Sequence, residues 1–185
     1  MGESIVTLAP HEFEAQLAWS EKQGDEPFWE AVYRKAFPSM IGHMMASGDT
    51  KSQRNGVDRL VYLSNDKILR IDEKKRRAVY PDILLEYLSV DKTGAPGWIE
   101  KDLTIDYLAY AFMPTKTCYL FDWLMLKRAW QQFGQQWKQE YKNVEAKNVG
   151  YSTWSVAVPL DKLRIAVNRA TIIDVSAELS WWNDN

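Results

Sequence analysis

The chain has 185 residues, 46% of them hydrophobic and 26% charged. That is enough for one sizeable core but not two full domains, and the composition excludes an intrinsically disordered chain. The formal net charge of −2 argues against nucleic-acid binding by overall charge alone and leaves room for a local basic groove.

The first residues, "MGESIVTLAPHEFEAQ", carry no basic stretch followed by an apolar one, so they do not read as a secretory leader. Residues 10–23 begin with Pro10 and place Phe13 and Leu17 at helical spacing, with Trp19 nearby, which predicts a helix that Gly24 and Asp25 end. A second helix is predicted over 27–37, from Pro27 to the limit set by Pro38. Residues 38–55, with two glycines and many small polar residues, predict a loop containing at most a short helical piece. The pattern then turns to branched and aromatic residues. Strands are predicted at 56–64 and 68–74, joined by "NDK" as an antiparallel hairpin. A third strand is predicted at 82–90, a loop at 91–97, and further strands at 103–112 and 117–122. The longest helix is predicted at 122–141, capped by Asp122, with Leu126, Trp130, Phe133 and Trp137 along one side and Gly134 weakening its middle. A strand at 152–159 and a short helix at 160–169 follow. The "ELSWWNDN" tail shows no clear pattern.

This order predicts one mixed α/β (α+β) domain over 1–185. N-terminal helices (10–37) precede a core of sheet and helices (56–169), and a tail (170–185) follows. The central mixed sheet is expected to have four to five strands, flanked by helices. No apolar run approaches the roughly 20 residues that span a bilayer, and the single Cys118 excludes an internal disulfide and fits a reducing compartment. The expectation is a soluble, cytoplasmic protein with no membrane partner. The nine Trp and nine Tyr are expected mostly in the core, with some free to stack on a ligand.

The chemistry concentrates in "RIDEKKRR", residues 70–77. Side chains alternate along a strand, so Asp72 and Lys74 share one face and Ile71 and Glu73 the other. If Ser64, Asn65 and Asp66 form the hairpin loop, Asp58 lies directly across from Asp72, with Cβ atoms roughly 4.5–5.5 Å apart. Two carboxylates at that separation repel unless a cation lies between them. Mg²⁺ and Mn²⁺ suit such a pair, completing their shells with water and phosphate oxygens.

Asp58, thirteen intervening residues, and then Asp72-Glu73-Lys74 resembles the D…(D/E)xK signature of the PD-(D/E)XK, or restriction-endonuclease-like, nuclease superfamily. The preceding "QRNGVD" (53–58) is similar to the lead-in of some phage and bacterial members. The resemblance covers roughly residues 28–122. It implies a four-stranded mixed sheet flanked by helices, and cleavage of phosphodiester bonds dependent on Mg²⁺ or Mn²⁺. It also implies that Asp58, Asp72 and the backbone carbonyl of Glu73 ligate the metal, with Lys74 as the catalytic lysine. Many members add a carboxylate from an N-terminal helix, for which Glu30, and behind it Glu14, are the candidates. The sequence departs from the usual pattern in having a polar Glu73 in the middle of the triplet and Val57 rather than Pro before Asp58. A shifted frame, Glu73 with Lys75, also reads ExK. A two- or four-residue loop would place Asp58 opposite Glu73. The first frame is preferred because it turns Leu69 and Ile71 together toward a core.

Gln53, Lys75, Arg76 and Arg77 are candidates for contacting substrate phosphates, against the alternative of a solvated loop and turn. Glu86, a charge in mid-strand, either faces the same site or lies on a wet face. His11 and His43 have no partner at metal-ligand spacing and are expected in structural or surface roles, and Cys118 as a buried small hydrophobe. No phosphate-binding or dinucleotide fingerprint occurs. The functional expectation is a metal-dependent nuclease, acting on DNA rather than RNA by the resemblance alone. The alternatives are an inactive nucleic-acid- or protein-binding module of the same fold, and an unrelated interaction protein using its Trp and Tyr surface. A homodimer is compatible with cutting both strands of a duplex, although no residue pattern specifies one.

Overall fold

The computed structural model describes residues 7–8, 27–46, 56–167 and 170–181. The elements in chain order are β1 (Thr7–Leu8), α1 (Pro27–Ala36), β2 (Met40–Met45), β3 (Arg59–Leu63), β4 (Ile68–Arg76), β5 (Asp82–Val90), β6 (Ala95–Pro96), β7 (Tyr107–Phe112), a 3₁₀ turn (Met113–Thr115), β8 (Thr117–Asp122), α2 (Trp123–Glu140), β9 (Asn143–Asn148), β10 (Tyr151–Pro159), α3 (Leu160–Val167) and β11 (Ala170–Asp174). The predicted helix at 10–23 lies outside the described residues.

The mixed α+β class holds, but the sheet is larger than expected and is accompanied by a second one. Six strands run in the order β11-β8-β7-β4-β3-β2, and five in the order β1-β9-β10-β5-β6. Within the larger sheet β4 and β7 are parallel, while β2-β3, β3-β4, β7-β8 and β8-β11 are antiparallel. Residues 40–45, expected in a loop, form β2 and pair with β3. The expected third strand, β5, does not join the hairpin's sheet. It pairs instead with β10 and β6. Strands β9 and β11 occupy stretches where none was predicted.

Alternation along the central strands separates two apolar cores. Leu108, Tyr110 and Phe112 of β7 face one core, shared with Ile83 and Leu85 of β5, Val156 and Val158 of β10, and the buried face of α2. Ala109 and Ala111 face the other, beneath α1, where Phe28, Trp29, Val32 and Tyr33 are all fully buried against Val61, Ile71 and Cys118. Asp122 caps α2 as predicted, its side chain accepting from the Met125 backbone N–H at 3.0 Å. Gly134 costs α2 helix propensity but admits the Trp130 indole, which a Cβ there would approach to 2.8 Å. No helix among the described residues is long and apolar enough to cross a membrane.

Candidate functional site

The β3–β4 hairpin sets the geometry. Leu63 N–H donates to the Lys67 carbonyl at 2.9 Å, closing a loop of Ser64, Asn65 and Asp66. Asp66 takes the left-handed conformation, φ 62°, which Asp tolerates better than most residues and which suits the last position of a three-residue hairpin loop. Arg59 then pairs with Ile71, and one residue further Asp58 stands opposite Asp72. Asp58 N–H donates to the Ile71 carbonyl at 2.9 Å. Beyond that point the Asp58 side chain continues the ladder, its Oδ2 accepting from the Glu73 N–H at 2.8 Å.

Asp72 is 1% exposed, whereas Asp58 is exposed at the surface. Lys74 reaches back along its own strand to pair with Asp72. Burial raises the Asp72 pKa to about 7. The Lys74 ammonium opposes that rise, and the Asp58 carboxylate, with which Asp72 shares a hydrogen bond, adds to it. For Lys74, burial lowers the pKa, but Asp72, Asp58 and Glu86 outweigh it and the net direction is up. The charge of Glu86 on β5 thus acts on Lys74. The pKa of Glu86 itself is raised by burial, against a hydrogen bond from Ser89 and the charges of Lys74 and Lys101. The loop after β6 packs tightly here: Gly97 N–H donates to Tyr87 O at 3.0 Å, and a Cβ on Gly97 would lie 2.2 Å from the Glu86 carbonyl oxygen.

The opposite face of the hairpin carries a different set of charges. Glu73 accepts from Tyr33 Oη at 2.7 Å and from Arg59 through Nε and, at 3.3 Å, Nη2. Arg59 Nη1 lies 3.0 Å from His43 Nδ1, and His43 Nε2 bonds Glu30. Arginine only donates, so Nδ1 accepts and the ring proton sits on Nε2, directed at Glu30. Glu30 also pairs with Arg34, and despite the upward pull of burial these two partners lower its pKa.

These contacts sort the candidate residues. Asp58, Asp72 and Lys74 come together on one face, and Glu86 of the second sheet acts on Lys74 through its charge. Glu30, proposed as an added metal ligand, sits on the α1 face with His43 and Arg34, away from the acid pair. The register is not that of the shifted frame, since Asp58 stands opposite Asp72 rather than Glu73. The Glu73 carboxylate is held by Arg59 and Tyr33 against the α1 core, and Lys75 alternates onto that same face. Arg76 donates to Tyr110 Oη at 3.0 Å, stacks 4.2 Å from the Tyr80 ring centroid and lies 3.8 Å from Asp82. It braces the β4–β5 corner, while Arg77 lies exposed in the turn that follows. Glu14, Gln53 and His11 lie outside the described residues. Cys118 is buried, as expected. Sequence reasoning missed Arg59 altogether. Its only signal was that its face is shared by Glu73 across the hairpin.

Among the described residues no group of three or more His, Cys, Asp and Glu has metal-holding geometry. Two carboxylates nonetheless fit the donor set of Mg²⁺, which commonly takes one or two and fills its shell with water and substrate oxygens. Burial is the main cause of the raised Asp72 pKa, and the neighbouring Asp58 carboxylate adds to it. Comparisons with protein-family models, with curated proteins and with solved structures give no match to this chain.

Proposed function

We propose that this protein is a divalent-metal-dependent nuclease, with Asp58 and Asp72 holding Mg²⁺ or Mn²⁺ and Lys74 serving the phosphoryl group. The observation that carries the reading is the hairpin register, which sets a buried aspartate against an exposed one with a lysine on the same face. Structural ion pairs seldom juxtapose two carboxylates, because the second raises the cost of ionising the first. A bound divalent cation would offset that cost, lower the pKa of a coordinated water and neutralise charge on a phosphoryl oxygen. The chain's own groups supply the rest. Asp72, walled in by the core, fixes one side of the site. Asp58, open to solvent, faces the incoming substrate. Lys74 keeps its charge in this acidic setting and can donate to a non-bridging oxygen as negative charge builds there. The mixed β2-β3-β4-β7 portion of the larger sheet, with α1 packed on β2 and β11, supports the restriction-endonuclease-like reading in part; α2 packs on β8 and β10, and the second sheet shares the opposite core. DNA as the preferred substrate is proposed on that resemblance.

The test is cleavage of labelled single- and double-stranded DNA and RNA with Mg²⁺, Mn²⁺ or EDTA. Metal-dependent cutting, abolished by Asp72→Ala and Lys74→Ala and retained by Lys75→Ala, is the expected result. No cutting of any substrate, together with no Mn²⁺ binding by calorimetry, would sink the reading and leave a binding module.

A further inference from the structure

The proposed site does not use the charges on the far side of the hairpin. Arg59 is 1% exposed and its Glu73 partner's side chain 5%. A buried ion pair of this kind rarely adds stability over apolar side chains of similar volume, because desolvation consumes most of the attraction. Its place in the chain suggests another role. Arg59 directly follows Asp58, and Glu73 directly follows Asp72. The peptide N–H of Glu73 is the group that holds the Asp58 carboxylate. Arg59 is fixed in turn by His43, and Glu73 by Tyr33, both anchored to α1 or β2.

We infer that Arg59 is a positioning residue for the acid pair, gripping Glu73 from the opposite face so that the Glu73 N–H holds Asp58 against Asp72. The inference rests on the site proposed above. It also accounts for a polar residue in the middle of the Asp72-Glu73-Lys74 triplet: the side chain points away from the site and is held there. The grip is directional. The guanidinium offers two donors to one carboxylate and a third to an imidazole, in a planar fork that resists rotation. An apolar pair would fill the same space without fixing the angle of the 72–73 peptide.

Replacing the network by apolar groups separates positioning from packing. The triple variant Arg59→Met/Glu73→Leu/Tyr33→Phe leaves no buried orphan among the three, and its melting temperature is expected to fall only by what His43 Nδ1 loses with its Arg59 donor. Two readouts then decide. Mn²⁺ affinity by calorimetry is expected to fall at least tenfold. Amide hydrogen exchange at position 73 is expected to speed up at least tenfold while neighbouring β4 amides keep their protection. If the triple variant does not fold, Glu73→Gln, which cannot serve Arg59 with two anionic oxygens, is expected to move both readouts in the same direction by a smaller factor. Unchanged affinity and unchanged exchange at position 73 in the folded variant would overturn the inference. If the wild type binds no Mn²⁺ and cuts no nucleic acid, the functional reading falls on its own, and exchange at position 73 alone decides whether Arg59 positions this peptide.

Discussion

At the scale of single residues, Asp72 links stability to function. Its pKa stands near 7 in the folded chain, chiefly through burial, against roughly 3.9 when unfolded. Between those values the folded state holds a proton that the unfolded chain has released. Stability attributable to Asp72 is therefore full below about pH 4 and lost as pH rises toward 7. Asp72→Asn removes the titration, so this variant should be more stable than the wild type at pH 8 and lose that advantage at pH 4, as read by urea unfolding at the two pH values. Cation binding at the proposed site would run the other way, because the ligand proposed there is the carboxylate. Mn²⁺ affinity of the wild type should rise with pH through about 7, and Asp72→Asn should flatten that rise. Opposite signs for stability and affinity at Asp72 would support the metal role proposed for it. Lys74→Met should leave the fold intact, and if Lys74 stabilises charge at the phosphoryl group it should lower the cleavage rate by about 10²–10³.

At the scale of elements, the hairpin loop fixes which acids meet. A slip of one residue would exchange the two faces, sending Asp72 toward α1 and Glu73 toward the site. The left-handed Asp66 holds the three-residue loop in place. Asp66→Val should cost about 1–2 kcal/mol and Asp66→Gly should be neutral or stabilising, as measured by thermal unfolding. In α2, Gly134→Ala gains up to about 1 kcal/mol of helix propensity, but its Cβ would meet the Trp130 indole at 2.8 Å. In a packed core the clash outweighs the gain, and a net loss in melting temperature is expected. These elements were readable in the sequence because local signals coincide. The 27–37 stretch has Pro at both limits, 122–141 has a cap and a 3.6-residue apolar period, and the hairpin has two branched runs around a short polar link. Strand β2, "MIGHMM", was not readable. It carries one β-branched residue and a glycine, and its pairing with β3 comes from tertiary context. Strand β9, "NVEAKN", is mostly polar and likewise exists because β10 offers a partner.

At the scale of the whole molecule, the partner of each strand was the hidden quantity. Nothing in "DILLEYLSV" says that β5 leaves the hairpin's sheet, yet in its own sheet β5 holds Glu86 near enough for its charge to act on Lys74. Asp58 and Asp72 were legible as a pair because both lie on one hairpin. Glu86 and Arg59 depend on contacts between distant segments, and the sequence alone left both unresolved or unseen. The assembled site sets the last prediction. Asp58, Asp72 and Glu86 carry three formal negative charges against one positive charge on Lys74, in a chain whose formal charge is already −2. With all three acids ionised, the site repels phosphate, and the protein's overall field does nothing to offset this. A divalent ion brings the local sum from −2 to zero, so nucleic-acid affinity should depend on the cation rather than on basic surface. An end-labelled oligonucleotide should bind too weakly to measure in EDTA, and measurably with Ca²⁺, which takes the same oxygen donors. With Ca²⁺ present, the logarithm of affinity should fall only shallowly with the logarithm of salt, by about 0.7 per phosphate contact for a single strand or 0.9 for a duplex. A total slope of about one would match Lys74, the cation this face presents beside the acid pair. Strong binding in EDTA with a steep salt slope would instead place the contact on another surface and detach nucleic-acid recognition from the acid pair.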